Sequence, residues 1–129
     1  MLNLNSIMLG SEDPKALADF YGKVLQKKPD MEDSNYIGFL AGSSFLSIGP
    51  HDKVKGKSKE PERIIYFFET KEVQKEFDRI KEIAGATVVQ EPYNPGPAGD
   101  DSMQLATLAD PDGNYFQLAS PWEGEMGKG

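Results

Sequence analysis

The chain has 129 residues, 21 acidic against 14 basic, for a net charge of −7, and it contains no cysteine. The missing thiols exclude disulfides, iron–sulfur clusters, thiolate zinc sites and cysteine nucleophiles, and the negative charge repels phosphate backbones and anionic lipid heads, so neither nucleic acid nor a membrane surface is an expected partner. A chain of this length suits one domain that buries roughly two-thirds of the surface its unfolded form exposes.

The opening MLNLNSIMLG is apolar only briefly, has no leading basic segment and runs into SEDPK. Neither a signal peptide nor a membrane span is predicted, and the expected location is the cytoplasm. Residues 4–10 read as a strand carrying Leu4, Ile7 and Leu9, and Asp13 followed by Pro14 reads as a helix N-cap with proline at the first helical position. Leu17, Phe20, Tyr21, Val24 and Leu25 then recur at helical spacing, one apolar stripe suited to packing on a sheet. The segment YIGFLAGSSFLSIGP predicts two strands, about 36–41 and 44–49, because Gly42-Ser43 interrupts two β-prone runs and Gly49-Pro50 ends the second. Residues 50–62 are polar and aperiodic, with two prolines and a glycine, and read as a connection. Its alternating Lys53, Lys55, Lys57 and Lys59 suit a solvated linker, and the sole histidine, His51, is expected there as a solvated loop residue.

The order then repeats. Strand RIIYFFE is followed by Thr70 as an N-cap, a helix over 71–83 with Val73, Phe77, Ile80 and Ala84 on one side, strand ATVVQ and a final hairpin within LADPDGNYFQLAS. Asp110-Pro111-Asp112-Gly113 suits a type I turn: aspartate accepts backbone bonds, proline presets φ, and glycine tolerates the left-handed conformation that follows. A shift of 57 positions places Asp13 on Thr70 and Phe20 on Phe77, so the chain reads as a tandem repeat of a strand, a helix and three strands. One domain over 1–122 is expected, with a first module over about 1–50, a second over 63–122, and EGEMGKG, residues 123–129, as a flexible tail.

Side chains alternate across a strand, which sorts each strand into two faces. Ile7, Leu9, Leu46, Ile48, Phe116 and Leu118 belong under a helix, which leaves Ser6, Met8, Ser47, Tyr115 and Gln117 on the uncovered face. The 57-residue shift takes Ser6 to Arg63, so Arg63, Ile65 and Phe67 join that face. A curved sheet with one face uncovered is a groove.

SIMLGSEDPKALADFYGKVLQKKP and LADPDGNYFQL, together with the repeat, resemble the vicinal oxygen chelate superfamily, which includes glyoxalase I, bleomycin-resistance proteins and extradiol dioxygenases. The resemblance covers nearly the whole chain. It implies an α+β fold of two tandem βαβββ modules that form an incomplete barrel around a cleft, within a homodimer. In metal-using members, ligands project from the first and last strands of each module, and those positions carried onto this chain are Ser6, Ser47, Arg63 and Gln117. None is histidine or a carboxylate. Two hydroxyls and a neutral amide compete poorly with water for a divalent ion, and Arg63 would repel it, so no metal and no other cofactor is expected.

The expected function is therefore that of the bleomycin-resistance branch, sequestering or carrying a small organic ligand. Arg63 would hold a carboxylate or phosphate through its planar fork, with Ser6, Ser47 and Gln117 as adaptable polar partners and Met8, Ile65, Phe67 and Tyr115 as apolar lining. Residues 92–102, rich in proline and glycine, read as a lid that brings Tyr93 over the ligand, and Trp122 caps the groove mouth or anchors the chain end. Two enzyme alternatives stand beside this reading, and a dimerisation module whose groove is filled by its own side chains is a third. One is a metal-dependent lyase, isomerase or dioxygenase whose ligands lie elsewhere. The other is a metal-free enzyme using Tyr115, Glu69 or His51 to move a proton, although no base–orienter pair is readable and no catalytic residue is assigned.

Overall fold

Two runs of sequence with the same order of elements carry the fold in a computed structural model that describes residues 1–96 and 103–121. Trp122, the tail 123–129 and residues 97–102 of the predicted lid lie outside the described residues. The chain divides into two units, Met1–Ser58 and Lys59–Gly129, each a βαβββ module of an α+β fold. The first comprises β1 (Ser6–Ser11), α1 (Pro14–Leu25), β2 (Met31–Asp33), β3 (Tyr36–Ala41) and β4 (Ser44–Pro50). The second comprises β5 (Tyr66–Glu69), α2 (Val73–Ile80), β6 (Thr87–Tyr93), β7 (Leu105–Ala109) and β8 (Tyr115–Ala119). Strand order is β1-β4-β3-β2 in one sheet and β5-β8-β7-β6 in the other. The first and last strands of each module run parallel, and all other pairs are antiparallel.

In the first unit, Asp13 caps α1: its Oδ1 accepts a hydrogen bond from the Ala16 backbone N–H at 3.2 Å, and Pro14 fills the first turn where no donor is needed. Gln26 ends the helix in a left-handed conformation, φ 56°. The apolar stripe buries Leu17, Phe20, Tyr21 and Val24, and the sheet contributes Ile37, Phe39, Leu46 and Ile48 to the same core. Strand β2 carries no sequence signal of its own. Its three residues, two of them acidic, are held extended by pairing with β3.

Glycines on the other face of this sheet are filled from neighbouring strands. A methyl at Gly38 would overlap the Phe45 ring, and one at Gly49 the Tyr36 ring. Gly38→Ala is therefore expected to destabilise the fold by about 1–3 kcal/mol through overpacking. It would be read as a lower urea midpoint at an unchanged m-value.

In the second unit, Val73, Phe77 and Ile80 of α2 are buried with Leu108, Phe116 and Leu118 of the sheet. Tyr66, Phe68 and Phe116 form an aromatic cluster with ring centroids 5.7–6.3 Å apart, within the range where such pairs attract. The N-cap of α2 is Glu72, not Thr70. Thr70 instead accepts from the Glu72 backbone N–H at 3.0 Å, as Ser11 accepts from Asp13 N–H at 3.0 Å. Ser11 thus matches Thr70, and Asp13 matches Glu72, 59 positions apart rather than 57. Two residues are one full strand repeat, so the face assignment survives the correction while every position slides by one step along the strand. Among the described residues no helix is long and apolar enough to cross a membrane.

Candidate functional site: the helix-free sheet faces

Register decides which side chains share a row across a sheet. In the first unit Met8 on β1 is paired with Ser47 on β4, Ser47 with Gly38 on β3, and Gly38 with Met31 on β2. The adjacent rows on the same face hold Gly10, Gly49, Tyr36 and Asp33 on one side, and Ser6, Phe45 and Leu40 on the other. Met8, on edge strand β1, is 50% exposed, and Leu40 and Tyr36, toward the two ends of β3, are 51% and 44% exposed.

In the second unit Phe67 on β5 is paired with Gln117 on β8, Gln117 with Thr107 on β7, and Thr107 with Gln90 on β6. Gln117 Nε2 donates to the hydroxyl of buried Thr107 at 3.1 Å, which fixes the amide, while Gln117 Oε1 is buried with no hydrogen-bond partner among the described residues. Phe67, beside it, is 57% exposed. The next row places half-buried Tyr115 opposite Ala109.

Several sequence-predicted positions move. Arg63 is not in a strand: Pro61–Arg63 form one turn of 3-10 helix, and the guanidinium is exposed and 3.0 Å from Glu60 Oε1. An exposed pair of this kind contributes little. Phe67 therefore stands where Arg63 was expected, opposite Gln117, and Met8 rather than Ser6 stands opposite Ser47. Ser6 begins β1 in an exposed row, and Ile65 lies half-buried just before β5. Tyr93 is the last residue of β6, paired with Leu105, rather than part of the loop. His51 is exposed in the connection, where its Nδ1 accepts from Lys53 N–H at 3.1 Å. Thr107, Tyr36 and Phe45 were not among the expected site residues. Phe45 and Tyr36 alternate with Gly38 and Gly49 in the sequence, but only the pairing shows that ring and glycine meet.

The cross-strand pair of the first unit, Met8 with Ser47, thus offers a thioether and a hydroxyl, and that of the second, Phe67 with Gln117, a phenyl ring and an amide. A divalent transition metal requires imidazole or anionic donors, and neither pair supplies one. Among the described residues no group of three or more histidine, cysteine, aspartate or glutamate side chains could hold a metal ion. The carboxyls held below their ordinary range belong to surface i,i+3 pairs: Asp30 through a hydrogen bond with Lys27, Glu76 with Arg79 and Asp78 with Lys81.

A family model described as a glyoxalase-like domain matches residues 6–119. Three solved structures are similar in fold. A glyoxalase-related enzyme from Fulvimarina pelagi is 21% identical, with 97% of this chain and 94% of that one covered and a TM-score of 0.74. A glyoxalase/bleomycin resistance protein/dioxygenase family enzyme from Burkholderia phytofirmans PsJN is 20% identical over 92% and 98%, with a TM-score of 0.70. A glyoxalase/bleomycin resistance protein from Albidiferax ferrireducens T118 is 19% identical over 90% and 97%, with a TM-score of 0.69. No curated protein matches the chain.

Proposed function

The chain belongs to the glyoxalase-like domain family of the vicinal oxygen chelate superfamily, and we propose that within it this protein is a metal-independent binder that sequesters or carries a small organic molecule. The observation that carries the reading is the chemistry of two cross-strand pairs, Met8 with Ser47 in the first unit and Phe67 with Gln117 in the second. Each pair sets one neutral polar group beside one exposed apolar group, the combination by which small-molecule sites orient a ligand and remove its apolar surface from water. Gln117 adds direction. A buried acceptor left without a donor costs about 1–3 kcal/mol, and a ligand N–H or O–H that displaces the groups now covering Oε1 and bonds to it relieves that cost. Thr107 holds the amide so that the acceptor is oriented in advance. Tyr93 and Tyr115 supply further lining on the same sheet. A homodimer in the cytoplasm is the working form proposed.

Native mass spectrometry of protein purified without chelator, before and after addition of zinc or manganese, tests this. No stoichiometric ion is expected in either spectrum, and the same spectra report a retained organic mass and the number of chains. One ion per chain, removed by EDTA and absent from Gln117→Leu and Ser47→Ala variants, would overturn the reading.

A further inference from the structure

We propose that the helix-free face of the β3–β4 hairpin is a stacking floor for a planar aromatic cation, an inference that rests on the small-molecule reading and specifies its ligand class. The starting point is a contradiction in burial. Gly38 and Gly49 are buried although they lie on the face that exposes Met8, Leu40 and Tyr36. What covers them is aromatic. The space a side chain would take at Gly38 holds Cζ and Cε2 of Phe45, and at Gly49 it holds Cδ1 and Cε1 of Tyr36.

Side chains on a sheet ordinarily stand away from it. These two instead bend across to a glycine on the neighbouring strand, so each ring rests against backbone and leaves its far side uncovered by the sheet. Ser47 lies between them in the ladder: its cross-strand partner is Gly38, under Phe45, and Gly49, under Tyr36, is two residues further along its own strand. On β1, Met8 is paired with Ser47, and on β2 the Met31 methyl would lie 3.4 Å from a methyl at Gly38. The floor therefore consists of two rings and two thioethers around one hydroxyl.

Its chemistry selects the sign of the ligand. Aromatic faces carry the negative part of the ring quadrupole, thioethers are soft and polarisable, and both suit a flat, delocalised cation. Among the strand residues of this face the one charged group is Asp33, exposed and paired directly with Tyr36. The net charge of −7 acts in the same direction at longer range. Ser47 is left to accept from or donate to one ring substituent.

Proflavine, a planar aromatic cation, and 9-anthracenecarboxylate, an anion of similar ring size, are the probes, titrated by calorimetry and fluorescence anisotropy. Proflavine is expected to bind once per chain and the anion not to bind. Tyr36→Leu and Phe45→Leu should each weaken proflavine binding about fivefold or more, and Tyr36→Phe should retain it. Asp33→Asn should weaken it about threefold, while Glu32→Gln, the same charge change on the opposite face of β2, should leave it unchanged. Binding indifferent to loss of either ring, equal effects of the Asp33 and Glu32 variants, or equal binding of the anion would each overturn the proposal. So would a dimer that Tyr36→Leu dissociates without changing proflavine affinity, because the rings would then be a contact between copies. Amide spectra of the unaltered protein provide a check that needs no variant: the largest shifts on adding proflavine should fall on Gly38, Ser47 and Gly49, and shifts centred elsewhere overturn it. Dye bound elsewhere would sink the floor but leave the binding function standing, whereas a resident metal in the native mass spectrum would sink that function by itself.

Discussion

Phe116→Ala is expected to destabilise the fold by about 3–5 kcal/mol, a large share of the roughly 5–15 kcal/mol that holds a domain together. Phe116 is fully buried, its ring lies 6.3 Å from that of Tyr66 and 5.7 Å from that of Phe68, and its ladder partners are Tyr66 and Leu108. Truncation leaves a cavity bounded by side chains that strand geometry keeps from collapsing, so the cost of lost transfer and the cost of the void add. Urea unfolding should show a lower midpoint at unchanged slope. Phe67 is the control one position away from Tyr66 on β5. It faces the other side and is 57% exposed, so Phe67→Ala should cost no more than about 0.5 kcal/mol of stability, while it removes the apolar wall beside Gln117.

Asp110→Ala is expected to cost about 2–4 kcal/mol, because its buried carboxylate serves several donors that would be left without an acceptor. Asp110 is 2% exposed. Its Oδ1 accepts from the backbone N–H of Asp112 at 2.9 Å and of Asn114 at 3.0 Å. Its Oδ2 accepts from Asn114 Nδ2 at 3.0 Å and from the Tyr66 hydroxyl at 3.4 Å. The backbone closes the same turn, with Asp110 N–H donating to Asn114 O and Gly113 N–H to Asp110 O, each at 2.9 Å, and Gly113 at φ 82°. DPDGN is thus a structural motif whose output is register. It sets Thr107 opposite Gln117 and so decides where the oriented amide stands. Asp110→Asn retains one acceptor oxygen and should recover about half the loss. Hydrogen exchange at the Thr107 and Gln117 amides should quicken in the alanine variant before global unfolding is reached, and protection equal to the parent would show that the carboxylate does not hold the ladder.

Much of this architecture is local in origin and was therefore legible in the chain. Asp13-Pro14 starts α1 because a short carboxylate and a ring without an N–H solve the same end problem. Gly42, at φ 61°, joins β3 to β4 because it alone there adopts a left-handed turn without strain. The alternation that sets Phe116 inward and Gln117 outward needs only the period of a strand. Other features depend on partners distant in sequence. Strand β2 exists because β3 lies beside it, and α2 starts at Val73 rather than two residues earlier while Met8 rather than Ser6 pairs with Ser47, two slips of two residues that together put Phe67 and not Arg63 beside Gln117. The Thr107–Gln117 bond and the two rings laid over Gly38 and Gly49 are likewise products of register. Periodicity along a strand tells which side a residue takes. Which residues meet across the sheet is set by pairing between strands, a non-local choice that tertiary packing makes.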